Sequence, residues 1–446
     1  MKKILKFSFF ILLIALLILT FINYPKLDLI TGFSAKSVAS ATFIDSRKLE
    51  IIESEDNNID LVKLATNSVN VSNGFAFSTI YGLKERKAIY RKGLGALLLN
   101  DGFDESKPYL SPKRNIKKIE IPYPYGNLDP IDTVFKSINY SKLKTAVTNA
   151  FDKKGVQDKR TRSIVVLYKG KLIAEHYADN FTKNSKILGW SMTKSIAATY
   201  FGILEKQGIL NINDKTDIAE WQKDERKNIT YSDLLQMNSG LEWEEKYDKI
   251  CDATKMLFQA NDMGKVQMDK PLAFKTNEHW NYSSGTTNLL SKILRSKFKS
   301  HQEYLDFWYS ALIDKIGMHS MIVEADAVGN YVGSSYAWAT TRDWAKFGQL
   351  YLNKGKWNGE QLFDPSWANY VATETNTSKG EYGAHFWLNR DNKFPDAPKD
   401  LYYCGGFQGQ KVIIIPSLDL VVVRMGTSET FDVNQFLKEI IGCFKN

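Results

Sequence analysis

The chain has 446 residues, enough to bury a large core in one large domain or two moderate ones. Apolar and charged fractions of 43% and 24% are those of an ordinary folded protein. The formal charge of +9 is modest, and the lysines are scattered among acidic residues rather than gathered in a basic stripe. This argues against a nucleic-acid partner, while a weak attraction to anionic lipid or cell-wall polymer is compatible with the sign.

Cysteine and histidine usage argues against a disulfide framework and against zinc. The three cysteines are an odd number without metal-type spacing. The five histidines are dispersed, and the chain contains no His-Glu-x-x-His motif. We therefore expect no metal and no cofactor.

The N-terminus predicts a membrane anchor. Lys2, Lys3 and Lys6 precede an uncharged run, Phe7 to Ile22, which is rich in Leu, Ile and Phe. The run is somewhat shorter than the ~20 residues of a typical spanning helix. No small-x-small cleavage site follows it directly, so we predict an uncleaved anchor over residues 1–27. The lysines would stay inside, which gives an inner-membrane anchor with a periplasmic catalytic domain. The alternative is secretion after signal cleavage.

Residues 28–125 form an N-terminal segment in which we find no motif chemistry, and its role stays open. A cluster of prolines ends just before Gly126 and is interpreted as the linker into the main domain, residues 126–446. The prolines of this cluster are Pro108, Pro112, Pro122 and Pro124.

The main domain has the pattern of an α+β fold. Residues 163–177 read as two β-rich runs around a glycine-containing turn, which is a hairpin signal. Residues 411–424 predict a second hairpin, and residues 434–444 a closing helix. The sequence between residues 191 and 299 is mostly helical in character. This order predicts an antiparallel sheet assembled from the two ends of the domain and flanked by helices, with a mainly helical region inserted.

A serine and a lysine lie three residues apart where the first long helix begins. If residues 191–208 are helical, Ser191 and Lys194 share one face. The Lys194 amine then reaches the Ser191 hydroxyl and can accept its proton, as in Ser-x-x-Lys acyl-transfer enzymes. A serine on the first turn of a buried helix also lies near unpaired backbone N–H groups, which suit a developing negative charge.

The motif is weak by itself. Ser-x-x-Lys also occurs at Ser141/Lys144 and at Ser296/Lys299, and Ser191 could be a plain N-cap residue. The apolar helical face that follows Ser191 favours this copy, because Ser296 lies in a charged and solvated stretch.

Two further segments present chemistry-bearing residues. Residues 280–285 place Tyr282 before small hydroxyl residues and a glycine, a loop suited to presenting a phenol to a pocket. Residues 403–410 are rich in glycine and lead directly into the C-terminal hairpin. Glycines at a strand edge allow a ligand to approach the backbone closely.

Together these segments resemble the serine β-lactamase and penicillin-binding superfamily over roughly residues 130 to 446. The closest likeness is to the branch that holds class C β-lactamase-like esterases and 6-aminohexanoate-oligomer hydrolases. The resemblance rests on five blocks that occur in order: residues 191–194, 234–243, 280–285, 339–348 and 409–416.

The resemblance implies a catalytic set. Ser191 would be the nucleophile and Lys194 its proton-accepting partner. Tyr282 would match the family tyrosine that moves protons among nucleophile, leaving group and hydrolytic water. Because the pKa of Tyr282 would itself shift if its phenol lay near Lys194, a single base is not assigned.

The resemblance also implies substrate contacts. Ser284 falls where many relatives have an asparagine that contacts the substrate carbonyl. Cys404, Gly405 and Gly406 fall where relatives carry a Lys-Thr-Gly or His-x-Gly box. The oxyanion hole would then be formed by the backbone N–H groups of Ser191 and Phe407. The alternative interpretation is that Cys404 has no role in the site and packs in the core as a small apolar residue.

The predicted function is an exported serine hydrolase that cleaves a small amide, ester or peptide through an acyl-enzyme. Cys404 replaces the lysine that would meet a β-lactam carboxylate, which argues against β-lactamase activity. The alternatives are a penicillin-binding or β-lactamase-like protein acting on β-lactams or D-amino-acid peptides, a non-catalytic cell-wall-binding protein, and a structural protein of the envelope. His385 and Trp387 either line the pocket or pack in the core, and the sequence does not set the oligomeric state.

Overall fold

The computed structural model describes residues 2–153, 155–156, 158–247 and 249–445. Its helices are α1 (Lys2–Asp45), α2 (Leu49–Ile51), α3 (Tyr140–Asn149), α4 (Thr193–Lys206), α5 (Tyr231–Leu235), α6 (Asp252–Gln259), α7 (Met263–Met268), α8 (Ser284–Ser296), α9 (His301–Trp308), α10 (Thr341–Leu352), α11 (Pro365–Val371) and α12 (Val433–Ile441). Its strands are β1 (Thr66–Asn70), β2 (Phe75–Ile80), β3 (Leu83–Arg91), β4 (Gly95–Leu98), β5 (Thr161–Tyr168), β6 (Lys171–Tyr177), β7 (Lys186–Leu188), β8 (Ile322–Val323), β9 (Ala337–Thr340), β10 (Lys356–Trp357), β11 (Glu360–Gln361), β12 (Trp387–Leu388), β13 (Tyr402–Gly406), β14 (Gln410–Ile415) and β15 (Leu420–Gly426).

The chain divides into two compact units. The small unit comprises Met1–Arg91, Gly95–Glu105 and Lys246–Asn261, and the large unit comprises Lys92–Leu94, Ser106–Glu245 and Asp262–Asn446. The predicted domain boundaries after residues 27 and 125 stay predictions.

The small unit packs α1 against a four-stranded antiparallel sheet of order β1-β2-β3-β4. The C-terminal half of α1 brings small side chains to its core, since Ala35 and Ala39 are fully buried. Arg86 on β3 donates to the Asp28 carboxylate of α1 at 2.8 Å and to the Phe258 carbonyl of α6 at 2.9 Å. One guanidinium therefore holds three elements together.

The predicted membrane anchor is wrong. Among the residues that the structure describes, no helix combines the length and the apolarity that a membrane span requires. The uncharged run from Phe7 to Ile22 falls short of the ~20 residues of a spanning helix. Beyond this run α1 continues through Pro25 into the part whose small residues are buried in the small unit. The inner-membrane anchoring predicted from this run is contradicted with it.

The large unit is built on a six-stranded antiparallel sheet of order β12-β13-β14-β15-β5-β6. Both predicted hairpins are confirmed as β5–β6 and β14–β15. They join where β15 pairs with β5, with Val422 opposite Val166. The antiparallel sheet assembled from the two ends of the domain is therefore confirmed, and the predicted closing helix is α12.

Helices cover both faces of this sheet. Strands β5 and β15 are buried along their whole length, and successive side chains of a strand point to opposite faces. Val165 and Val423 enter one core, which includes residues of α4 and α10. Val166 and Val422 enter the other core, which includes residues of α3 and α12. Strand β13 of this sheet lies beside the turn that precedes α4.

Candidate active site

Ser191 lies in a 3-10 turn, Trp190–Met192, that leads directly into α4. The position before the turn requires glycine, because a Cβ on Gly189 would lie 2.3 Å from the Trp344 ring. Trp190 adopts a positive φ of 48°. This backbone leaves Ser191 half-buried at the N-terminus of a buried helix, where the helix dipole favours negative charge.

Lys194 is buried beneath Ser191, with 1% of its surface exposed. Its Nζ lies 3.0 Å from Ser191 Oγ, 2.9 Å from Ser284 Oγ and 2.9 Å from the Ser334 carbonyl oxygen. Burial lowers the pKa of Lys194 to about 8, against an opposing effect of the Glu245 carboxylate. The amine is therefore within reach of the hydroxyl proton and is available as a base near neutral pH.

Tyr282 joins this pair from the loop before α8. Lys194 Nζ lies 4.9 Å from the centre of its ring, and its hydroxyl is close enough to Ser191 for that residue to oppose the effect of burial on the pKa of the phenol. Burial raises the pKa of Tyr282 well above its ordinary value, and the Glu245 carboxylate acts in the same direction. The phenol thus keeps its proton at neutral pH and can donate it. Trp387 packs on this ring at 5.1 Å, so the tryptophan lies beside the site.

Glu245 is the residue that the sequence analysis missed. Its Oε1 accepts a hydrogen bond from Ser284 Oγ at 2.7 Å, and Ser284 in turn accepts one from Lys194. Ser284 is fully buried between these two charged groups. A signal was present in the sequence: Glu245 lies two residues beyond the resembling block 234–243, in a short acidic run.

Strand β13 brings the predicted substrate-binding residues to the start of α4. A Cβ on Gly406 would lie 2.2 Å from the Gly189 carbonyl oxygen, so this contact requires glycine. Phe407 follows, with its ring 5.5 Å from that of Trp190 in an edge-to-face arrangement. Gly406 and Phe407 therefore lie next to the turn that carries Ser191.

This arrangement agrees with the comparison with protein families. The profile described as Beta-lactamase matches residues 148–438, most of the chain. The chain belongs to the β-lactamase family. The predicted membership of the serine β-lactamase and penicillin-binding superfamily is thereby confirmed.

Solved structures share this β-lactamase fold at low sequence identity. A protein assigned as a 6-aminohexanoate-dimer hydrolase from Bacillus anthracis is 19% identical, with a TM-score of 0.55 over 67% of this chain and 80% of its own. A protein assigned as a β-lactamase from Bacteroides dorei is 13% identical, with a TM-score of 0.56 over 69% of this chain and 99% of its own. A family VIII carboxylesterase is 14% identical, with a TM-score of 0.54 over 71% and 99%. No match was found among curated proteins.

Two residues named from the sequence lie deeper in this β-lactamase-family unit. Cys404 is 1% exposed and contacts Ser195 on α4 rather than Ser191, and burial raises the pKa of its thiol to about 12. His385 is 2% exposed and is bonded through its two ring nitrogens to the Leu235 carbonyl and to Thr287. Burial lowers the pKa of His385 to about 3, so the imidazole is neutral. In the part of the chain that the structure describes, no cluster of His, Cys, Asp or Glu has a metal-binding arrangement.

Proposed function

We propose that this protein is a serine hydrolase that cleaves an amide or ester bond through an acyl-enzyme on Ser191. The observation that carries the proposal is the buried Lys194 amine, 3.0 Å from Ser191 Oγ. Its pKa of about 8 leaves a useful fraction of free amine at neutral pH.

Acylation would proceed in two steps. Ser191 Oγ attacks the carbonyl carbon and forms a C–O bond while its proton passes to Lys194 Nζ. The tetrahedral intermediate then collapses, the bond to the leaving alcohol or amine breaks, and the leaving group takes a proton from Tyr282. Lys194 then gives its proton to the Tyr282 phenolate, whose ring centre lies 4.9 Å from Nζ, and both groups are restored.

Deacylation would use the same groups in reverse. A water molecule attacks the acyl carbonyl and gives its proton to the base, the bond to Ser191 Oγ breaks, and Ser191 recovers a proton as the carboxylic acid leaves. The backbone N–H groups of Ser191 and Phe407 are the proposed donors to the oxyanion. One such donor typically contributes ~3–4 kcal/mol to transition-state stabilisation.

Two considerations support amides and esters as the substrate class. Solved structures with the same fold include a protein assigned as a 6-aminohexanoate-dimer hydrolase and a family VIII carboxylesterase. In addition, Cys404, which the resemblance aligns with the lysine of relatives, is a buried, protonated thiol directed into the core, so it offers no cation to a β-lactam carboxylate. We therefore propose linear amides or small esters ahead of β-lactams.

The test is turnover and intact mass of the full chain with p-nitrophenyl butyrate. We expect a transient mass increase of one butyryl group and release of p-nitrophenol. Ser191→Ala should abolish the adduct and lower turnover by about 10³-fold or more. The matched control is Ser296→Ala, which removes the serine of another Ser-x-x-Lys copy, one whose hydroxyl donates to the Ile293 carbonyl. Turnover that survives Ser191→Ala would refute the proposal.

A further inference from the structure

Both oxygens of the Glu245 carboxylate accept hydrogen bonds. Oε2 accepts from the Ser284 backbone N–H at 2.6 Å and from Trp243 Nε1 at 2.8 Å. Oε1 accepts from Ser284 Oγ at 2.7 Å. Ser284 is the first residue of α8, so the carboxylate accepts a hydrogen bond from one of the N–H groups that have no partner within the helix. The side chain is therefore locked in one orientation.

This orientation decides what Ser284 offers to Lys194. A hydroxyl has one hydrogen, and that of Ser284 points at Glu245 because a carboxylate can only accept. Ser284 Oγ thus presents lone pairs to Lys194 Nζ, 2.9 Å away. The second partner of the amine, the Ser334 carbonyl oxygen, can also only accept.

These two contacts determine where the lone pair of the Lys194 amine points. A neutral amine has two hydrogens and one lone pair. Since Ser284 and Ser334 take both hydrogens, the lone pair is directed at Ser191 Oγ, which lies 3.0 Å from the nitrogen. This is the orientation in which Lys194 accepts the proton of Ser191.

We propose that Glu245 is a positioning residue that, through Ser284, aims the lone pair of Lys194 at Ser191 and stabilises the ammonium that forms after proton transfer. The inference rests on the proposed function and adds to it. Glu245 does not touch the reacting atoms: it orients the lone pair through Ser284, and its charge acts on the ammonium through space.

The other titratable groups around Lys194 do not replace this charge. The His385 imidazole is neutral because burial lowers its pKa to about 3. Burial keeps Tyr282 and Tyr382 protonated by raising the pKa of each phenol well above its ordinary value, and Glu245 raises both further. Glu245 is the carboxylate that opposes the effect of burial on the pKa of Lys194.

The experiment measures the rate at which a fluorophosphonate modifies Ser191, by intact mass, as a function of pH. In this reaction Ser191 Oγ bonds to phosphorus, its proton passes to Lys194, and fluoride leaves, so no deacylation step is needed. In Glu245→Gln the amide oxygen takes the two N–H bonds of Oε2, and the amide NH₂ faces Ser284 Oγ. The Ser284 hydroxyl hydrogen then turns to Lys194 and occupies its lone pair.

We expect Glu245→Gln to lower the maximal rate about 100-fold, at the lower end of what a positioned base contributes. We also expect the midpoint of the pH profile to move to lower pH, because a negative charge near Lys194 is lost. A side chain that only maintained the fold would slow the reaction without moving the midpoint. Glu245→Asp should keep the wild-type midpoint with a partial rate. The matched control is Glu242→Gln, an exposed glutamate three residues away, which should behave as wild type.

Ser284→Ala breaks the same hydrogen-bond path from Glu245 to Lys194 with a smaller change. It replaces Glu245→Gln in the experiment if that variant does not fold. It should also slow modification, and the double variant should be no slower than Ser284→Ala alone, since both changes break one path. A wild-type rate and midpoint in Glu245→Gln, or losses that multiply in the double variant, would overturn the inference. Wild-type protein that resists both fluorophosphonate and esters would instead refute the proposed function itself.

Discussion

At the scale of single residues, the candidate site depends on the protonation of Lys194. The side chain is 1% exposed, and removing an ammonium from water favours the neutral amine. With a pKa of about 8, roughly a tenth of the molecules carry a free amine at pH 7. Tyr282 cannot take over as the base at this pH, because burial raises the pKa of its phenol.

The expected pH dependence follows from this protonation. Below about pH 8 the ammonium cannot accept the Ser191 proton, so kcat/KM for ester hydrolysis should fall about tenfold per pH unit and level off above that pH. The measurement is a pH–rate profile from about pH 6 to pH 10 at constant ionic strength. Lys194→Met should remove the activity, and Lys144→Met, in an unrelated Ser-x-x-Lys copy, should not. A flat profile across this range would assign the base to another group.

At the scale of elements, the site is made where strand β13 meets the start of α4. The two backbones approach closely at Gly406 and Gly189, and neither position has room for a Cβ. Gly189 is closed off by the Trp344 ring, and Gly406 by the Gly189 carbonyl oxygen. This contact sets the distance between Ser191 and the proposed oxyanion donor on Phe407.

Gly406→Ala should therefore damage activity more than stability. The new Cβ would lie 2.2 Å from a backbone oxygen, so the strand and the turn must separate. A displacement of about 1 Å costs about 10²-fold in rate, and we expect a loss of this size in kcat while the protein stays folded. Gly442→Ala, whose Cβ would meet Lys438 O at 3.0 Å, is the control and should keep full activity. An active Gly406→Ala variant would show that the close approach is not needed for catalysis.

At the scale of the whole molecule, the small unit includes a segment that is distant in the chain. Lys246–Asn261 belongs to it, although the residues on either side belong to the large unit. Within the small unit Arg86 holds this segment through the Phe258 carbonyl, while it pairs with Asp28. Asn100 adds a hydrogen bond to the Ala260 carbonyl at 3.2 Å.

Arg86→Ala should destabilise the protein markedly. The side chains of Arg86 and Asp28 are only 11% and 22% exposed, so the substitution leaves a poorly solvated carboxylate without its cation, although Gln259 Nε2 still donates to it at 2.9 Å, and it removes a donor from the Leu99 and Phe258 carbonyls. We expect a loss of about 3 kcal/mol in the free energy of unfolding, measured by urea denaturation. Lys63→Ala is the control, because its pair with Asp60 is 53% and 92% exposed and should contribute less than about 1 kcal/mol. Equal effects of the two substitutions would contradict this account.

Local patterns in the sequence predicted much of the fold and also the Ser191–Lys194 pair at the centre of the site. The hairpins β5–β6 and β14–β15 follow from alternating and β-branched runs around short turns, which act over a few residues. The pairing of Ser191 with Lys194 follows from a spacing of three residues, which the 3-10 turn leading into α4 preserves. The order of the resembling blocks indicated the family without any knowledge of the contacts.

The tertiary structure decided what depends on distant parts of the chain. The acidic run beside residues 234–243 marks Glu245 as a candidate, but its bond to Ser284 spans 39 residues, and the sequence does not show which partner the carboxylate meets. The direction of Cys404 and His385 into the core depends on how strands and helices pack around them, and burial then sets their pKa values. The apolar N-terminal run predicted an anchor because the composition of the run indicates a favourable free energy for moving its side chains out of water. Composition does not record how far a helix extends or what the rest of it packs against.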